Sequence, residues 1–161
     1  MLDQWHEFFM TVGGGAAALT GLVFVAMSLN LKAILQDETH RARAIGSLVG
    51  FSAAFVICAL ALMGDQDYQK VGFEWFVVSG ISLFVYLEGY FHSRRSGGSA
   101  IGLHPLRIAT GTTLNVAQIL GACLLFFGHS EGIYLAGIAL VMYITFMISA
   151  AWLLLVAVHM D

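Results

Sequence analysis

Residues 133–158 read IYLAGIALVMYITFMISAAWLLLVAV and contain no Asp, Glu, Lys, Arg or His. A membrane-spanning helix needs about 20 consecutive apolar residues, and this stretch exceeds that length. The whole chain of 161 residues has the same character, with 59% hydrophobic and 11% charged residues. Such a composition leaves too few charged groups to cover a water-soluble surface. The sequence therefore predicts an all-α integral membrane protein.

Four further apolar runs precede this stretch, separated by short polar connections. The five predicted transmembrane helices cover residues 8–35, 44–63, 73–91, 106–127 and 133–158. They form a single transmembrane domain over residues 1–161, because too few residues remain for a folded domain outside the membrane. As one helix, the first run would be about 42 Å long. It should therefore tilt, or project beyond a hydrocarbon core of about 30 Å.

Basic residues concentrate on one side of this five-span bundle, where the first and third connections lie together with the C-terminus. That side holds six of the seven basic residues: Lys32, Arg41, Arg43, Arg94, Arg95 and Arg107. By the positive-inside rule, the N-terminus is outside and the C-terminus is inside a bacterial-type plasma (inner) membrane. The basic connections are expected to meet anionic lipid headgroups and not nucleic acid.

The first span contains small residues at helical spacing. Gly13, Ala17 and Gly21 recur every four residues, and Ala18 follows Gly14 at the same interval. Small side chains at this spacing let another helix approach closely in a membrane. The pattern predicts a helix-packing face, either within one subunit or between copies in an oligomer, with a pore wall as the third alternative.

The fourth span carries a polar stripe at membrane depth. Thr112, Asn115 and Gln118 are spaced three residues apart and share one side of a helix. Amide groups inside a membrane need a hydrogen-bonding partner, because lipid offers none. The stripe is either a set of bonds between helices or the lining of a hydrated path for a solute.

Four titratable residues are further candidates for a solute path. Glu88 and His92 lie one helical turn apart near the inner end of the third span, so they can touch or share a proton. An acid within a span indicates a proton or cation role, although here it also lies close enough to the interface to reach water or an arginine. Glu7 and Glu74 each begin a span at the outer side, where they are candidate cation-facing acids.

The first two spans resemble the next two in the order of several residues. Glu7 and Gly13 correspond to Glu74 and Gly80, because each acid is followed by two aromatic residues and, after three more positions, by glycine. The second and fourth spans match at their basic start and at a later cysteine: Arg43 with Arg107, and Cys58 with Cys123. This match predicts a parallel duplication of a helical hairpin, with a chance similarity between apolar helices as the alternative.

Sequence motifs for catalysis and cofactor binding are absent. The chain has no GxSxG, HExxH or CxxC motif and no phosphate-binding glycine loop with its lysine. Its histidines lie at span ends or in connections, whereas a haem site in a bundle needs them at matched depth within the spans. We therefore expect no enzymatic activity, no cofactor and no metal site.

Three features favour a homo-oligomeric channel or transporter for small cations: the small-residue face, the polar stripe and an acidic outer side. The outer side carries six acids and one lysine: Asp3, Glu7, Asp65, Asp67, Glu74 and Glu131 against Lys70. Each feature also fits a second hypothesis. In this alternative, the protein is a non-conducting membrane subunit that modulates or scaffolds a larger membrane complex through the same face.

Overall fold

The computed structural model describes residues 3–64, 66–95 and 105–158, which contain helices and no strands. A 3-10 turn, Asp3–Trp5, precedes the α-helices. These helices are α1 (His6–Leu29), α2 (Leu31–Gln36), α3 (Glu38–Ala61), α4 (Tyr68–Arg95), α5 (Pro105–Phe126) and α6 (Gly132–Val158). All except the short α2 are long and apolar enough to cross a membrane. The predicted all-α fold with five spans is confirmed.

The first span is shorter than the apolar run that predicted it, because α1 ends at Leu29. Asn30 departs from helical geometry, with φ −111° and ψ 17°. Its backbone N–H donates to the Met27 carbonyl at 3.1 Å, and its side-chain amide donates to the Ala26 carbonyl at 2.9 Å. Both bonds satisfy carbonyls that the helix end leaves free. The run over residues 8–35 is thus divided into α1 and α2, and the 24 residues of α1 are about 36 Å long, closer to the thickness of the hydrocarbon core.

Side-chain caps and one glycine set other helix ends. Asp37 Oδ1 accepts the His40 N–H at 3.1 Å at the start of α3, and Asp67 Oδ1 accepts the Lys70 N–H at 2.8 Å at the start of α4. Each carboxylate satisfies an N–H that has no partner within its own helix. After α5, Gly128 has a φ of 86°, which reverses the chain at little steric cost. These local signals keep the connections between spans short.

Four spans form a closed ring, in which α3, α4, α5 and α6 each pack against two neighbours. α1 lies outside the ring, mainly against α3 and with a smaller contact to α6. The largest buried cluster joins α1 to the ring through Phe9, Trp75 and Cys58, and continues to Leu125 and Leu140. The ring therefore encloses side chains of α4, α5 and α6, while much of α1 faces outward.

The two ends of the bundle differ in charge. At one end the Trp5 ring packs against Tyr134, with 4.7 Å between ring centroids. We call this the acidic end; its acidic residues in the described part are Glu7, Asp67, Glu74 and Glu131. At the opposite end His92 Nε2 lies 3.1 Å from Glu38 Oε2. We call this the arginine end; its arginines in the described part are Arg41, Arg43, Arg94, Arg95 and Arg107.

Three glycines bring backbones together near the acidic end. A Cβ atom at Gly72 of α4 would lie 2.5 Å from the Phe126 backbone nitrogen, and one at Gly121 of α5 would lie 2.6 Å from the Ala136 backbone nitrogen. A Cβ atom at Gly132 of α6 would lie 2.5 Å from the Gly121 carbonyl oxygen. No larger residue fits at these distances unless the helices separate. These glycines, which the sequence patterns did not single out, set the spacing of α4, α5 and α6.

Candidate functional site

The predicted small-residue face of α1 divides between the inside and the outside of the subunit. Gly13 is buried against α3, where an added Cβ would lie 2.8 Å from Cys58 Cβ. The other members of the face are exposed: Gly14, Ala17, Ala18 and Gly21. An added Cβ at Gly14 or Gly21 would meet no atom within 4 Å. We call these four exposed residues the outer α1 face.

α1 is the least buried of the five spans. Of its most apolar 18 residues, 17% are buried, compared with 28% to 44% in the other four spans. Most of the small-residue pattern of α1 therefore makes no helix contact within the described part of the subunit. An exposed small-residue face offers lipid little contact area, whereas it lets a second helix approach closely.

The polar stripe of α5 lies inside the ring. Asn115 and Gln118 are 1% and 2% exposed, and Thr112 is half-buried. Gln118 Oε1 accepts a hydrogen bond from Trp75 Nε1 of α4 at 3.3 Å. Asn115 Nδ2 donates to the carbonyl of Gly111 in its own helix at 3.0 Å. Gln118 thus joins α5 to α4, which agrees with the alternative in which the polar stripe forms bonds between helices.

A second polar contact inside the ring joins α4 to α6. The hydroxyls of Ser82 in α4 and Tyr143 in α6 are 3.1 Å apart, and Asn115 is close enough to interact with the same Tyr143 hydroxyl. Asn115 Oδ1 itself is buried without a hydrogen bond. Ser79 Oγ of α4 is likewise buried without a partner among the described residues. The interior polar groups of α4, α5 and α6 are therefore only partly paired with each other.

Glu88 and His92 lie in a groove of about 290 Å³ between α3 and α4 at the arginine end. The His92 ring contacts Glu38 of α3, and the same carboxylate accepts two hydrogen bonds from Arg41 at 2.9 and 2.6 Å. Sequence spacing suggested Glu88 as the partner of His92 and did not single out Glu38. Because these groups are partly solvent-exposed, their ion pairs add little to stability.

The candidate outer acids have different surroundings. Glu7 is exposed on the first turn of α1. Glu74 is half-buried, and its two oxygens lie 3.4 and 3.2 Å from the Gln66 amide nitrogen, which can donate to either. At the acidic end, Glu7 is therefore exposed to solvent, whereas the Gln66 amide hydrogen-bonds to Glu74.

The predicted hairpin duplication is not accompanied by matching contacts. Gly13 packs against Cys58, but an added Cβ at Gly80, the corresponding glycine, would meet no atom within 4 Å. Cys58 is buried, whereas its counterpart Cys123 is half-exposed. The two hairpins thus occupy different positions, one contributing the external α1 and the other lying wholly within the ring.

A cavity at the arginine end is a site that the sequence patterns did not reveal. It has a volume of about 70 Å³ and lies between α3, α4, α5 and α6. Its polar lining comprises two arginines, two tyrosines and two serines: Arg43, Ser47, Tyr86, Tyr90, Ser93 and Arg107. The sequence patterns placed Arg43 and Arg107 among the orienting basic residues and at matching positions of the two hairpins, but they did not place the two side chains in one cavity. Their proximity depends on α3 and α5 lying on opposite sides of one ring, which local sequence does not specify.

Arg107 is held in this cavity from two sides. Its guanidinium carbon lies 5.1 Å from the centroid of the Phe146 ring, a cation–π arrangement. Its backbone carbonyl accepts a hydrogen bond from the Tyr86 hydroxyl at 3.3 Å. Among the described residues, neither its buried Nη2 atom nor Ser47 Oγ of the same cavity has a hydrogen-bond partner. Two residues of the cavity lining therefore carry buried polar atoms that make no hydrogen bond within the described part of the chain.

Within the described residues, no group of three or more His, Cys, Asp or Glu side chains could hold a metal ion. Comparison with protein-family models, curated proteins and solved structures finds no significant match to this chain. The functional argument therefore depends on the geometry of this molecule.

Proposed function

We propose that this multi-pass membrane protein is a non-conducting subunit that acts by assembling with other membrane helices through the outer α1 face. One observation carries the proposal: the helix with the small-residue pattern lies outside the four-helix ring and turns Gly14, Ala17, Ala18 and Gly21 outward. In lipid, close van der Waals packing holds helices together, so such a face favours association.

The first partner to consider is a second copy of the chain. A face of small residues is complementary to itself, so two α1 helices can pack across a two-fold axis. The four-helix ring would then present its remaining surface to lipid or to a larger complex. This arrangement supports a scaffolding or modulating role, because assembly through α1 leaves the ring interior unchanged.

The interior also supports a non-conducting role. Asn115 and Gln118 are almost fully buried by neighbouring side chains, so they do not line an open path within the described part of the subunit. Gln118 is bonded to Trp75, so opening a path there would break a buried hydrogen bond. These contacts favour the alternative in which the polar stripe joins helices.

A small-cation channel or transporter remains the second candidate, and the charge of the acidic end favours it. Exposed Glu7, together with Asp67 and Glu131, would raise the local cation concentration. Because the polar stripe is enclosed, a cation path would run between subunits. Measuring sodium and potassium flux in liposomes that contain the assembled protein distinguishes the two functions.

Cysteine cross-linking tests the proposed assembly. In a Cys123→Ser background, we expect Ala18→Cys to form a disulfide-linked dimer under copper phenanthroline oxidation in membranes. Ala59→Cys, exposed on α3, is the matched control and should remain monomeric. A dimer without ion flux supports the proposal, whereas a monomer in both variants, or cation flux by the assembly, contradicts it.

We also propose that the arginine end faces the cytoplasm and the acidic end faces outside, in a plasma membrane. The clustered arginines support this orientation through the positive-inside rule. A phosphatase reporter fused after residue 67 should be active outside the cell, and one fused after residue 98 should be inactive. Equal activity of both fusions would contradict the orientation.

A further inference from the structure

Among the arginines of the arginine end, Arg43 and Arg107 differ from the others in their surroundings. Arg41 is paired with Glu38, and Arg94 and Arg95 are exposed at the end of α4. Arg43 and Arg107 are half-buried and line one cavity from α3 and α5. They are close enough to repel each other. Two cations held together in a partly buried cavity indicate a place for an anion.

The described cavity lining has the donors that an oxyanion needs. No Asp or Glu lines the cavity among the residues that the structure describes. Asp37, at the junction of α2 and α3, attracts Arg43 from outside the lining, so it compensates one of the two cations. No such acid compensates Arg107 among the described residues. Its guanidinium can donate two parallel hydrogen bonds to a phosphate in the cavity.

Two buried polar atoms provide an independent sign of a missing ligand. Ser47 is 1% exposed, and its hydroxyl has no hydrogen-bond partner within residues 3–64, 66–95 and 105–158. Arg107 Nη2 is buried and has no partner in these ranges either. Buried polar groups without partners are costly, so a ligand that accepts hydrogen bonds from both would be stabilised here. Both groups line the same cavity, and therefore one oxyanion can engage them together.

The size and position of the cavity suit a phosphate group. A single water needs about 10–15 Å³ of such space, and the cavity offers about 70 Å³. Arg107 is the third residue of α5, so the cavity lies near the end of the spans. At that depth, a ligand can come from the headgroup layer of the membrane or from the adjacent water.

We propose that Arg43, Ser47 and Arg107 form a binding site for a phosphate-type oxyanion, supplied by an anionic phospholipid headgroup or by free phosphate. These three residues belong to one subunit and lie on α3 and α5, so the proposed site does not depend on assembly through α1. The ligand oxygens accept hydrogen bonds from the two guanidinium groups and from the Ser47 hydroxyl. Bound anion also relieves the repulsion between Arg43 and Arg107, so binding should raise the thermal stability of the protein.

Binding can be measured on the purified, full-length protein in decyl maltoside. Native mass spectrometry with phosphatidylglycerol and calorimetric titration with inorganic phosphate identify the source of the anion. We expect binding of at least one of these probes and a rise in Tm on its addition. Displacement of phosphatidylglycerol by inorganic phosphate would identify a site open to free phosphate, and lack of displacement would identify a headgroup site. If neither probe binds, the proposal is overturned.

Matched arginine variants test whether the cavity is the site. Arg107→Gln should weaken binding about tenfold or more, because it removes a charge-assisted contact. Arg95→Gln removes the same charge from an exposed position at the same end and should leave affinity nearly unchanged. Equal loss in both variants, or no loss in Arg107→Gln, would show that general surface charge attracts the anion and would overturn the proposal.

A third variant keeps the test decisive if Arg107→Gln fails to fold. Gly46 lines the cavity, and an added Cβ there meets no atom within 4 Å. Gly46→Leu should therefore occupy the cavity while both arginines remain. We expect it to abolish binding of the anion, and retained wild-type affinity in this folded variant would overturn the proposal.

Discussion

Two sets of glycines have identical side chains and opposite surroundings. Gly14 and Gly21 of α1 face outward, and an added Cβ at either would meet no atom within 4 Å. Gly72, Gly121 and Gly132 lie where the backbones of α4, α5 and α6 touch. The regular four-residue pattern belongs to the first set, and the tight intramolecular contacts belong to the second. Regular spacing therefore indicates that a helix can be approached closely, while packing decides where the approach occurs.

Substituting alanine for one glycine of each set should give the largest difference in the free energy of unfolding. Gly121→Ala places a methyl group 2.6 Å from the Ala136 backbone nitrogen, so α5 and α6 must move apart. We expect its free energy of unfolding to fall by about 1–3 kcal/mol. Gly14→Ala enters open space and should change that energy by no more than about 0.5 kcal/mol. Thermal and denaturant unfolding in detergent would refute this contrast if both variants lost equal stability.

Larger residues on the outer α1 face should affect assembly and spare the monomer. Gly14→Leu and Ala17→Leu would hold a second helix away from α1, so we expect the dimer to weaken about tenfold or more. Ala59→Leu adds the same bulk to an exposed position of α3 and should leave the dimer intact. Sedimentation in detergent measures the dimer dissociation constant of each variant and shows whether its monomer remains compact. Misfolding of the α1 variants would place this face inside the subunit and contradict the comparison.

The enclosed polar stripe of α5 differs from the outer α1 face because it is bonded within the subunit, and the Trp75–Gln118 hydrogen bond allows this difference to be tested. Removing one partner leaves the other buried without its hydrogen bond. A double-mutant cycle with Trp75→Phe and Gln118→Leu should give a coupling energy of about 0.6 kcal/mol, the average for such bonds in membranes. Unfolding measurements on the four proteins provide it. Zero coupling would show that Gln118 does not join α4 to α5.

Local sequence predicted most of the fold because hydropathy is a local property. A run of apolar residues identifies a span wherever it packs, and the Asp37 and Asp67 caps act within one helical turn of their own position. The break at Asn30 also depends on local hydrogen bonds, but its apolar flanks concealed it.

The site required contacts that no local pattern contains. Arg43 and Arg107 meet because α3 and α5 lie across the same ring, and His92 finds Glu38 because α3 and α4 are adjacent there. Spacing along α4 could suggest only Glu88, the neighbour on the same helix. The outward direction of Gly14 and Ala17 likewise follows from where α3 packs on α1.

The smallest expected effect is at Asn115, and it is the most informative about conduction. Its amide donates to the Gly111 carbonyl of its own helix, and its Oδ1 is buried without a partner. Asn115→Leu keeps a similar volume and removes that unpaired acceptor. The loss of the interaction between Asn115 and Tyr143 is partly offset, because the Tyr143 hydroxyl keeps its contact with Ser82. The free energy of unfolding should therefore stay within about 0.5 kcal/mol of the wild-type value.

Sodium and potassium flux in liposomes provides the second readout for Asn115→Leu, with Thr113→Val as an exposed control on the same helix. If Asn115 lines a hydrated path, the apolar side chain removes a hydrogen-bonding group from it, and wild-type flux should fall. If the stripe only fills the ring, Asn115→Leu should leave flux unchanged: absent in both proteins for a non-conducting subunit, and equal in both for a path between subunits. A conducting wild type whose flux is lost in Asn115→Leu and kept in Thr113→Val would place the cation path inside the ring. The outer α1 face would then be an assembly surface of a channel.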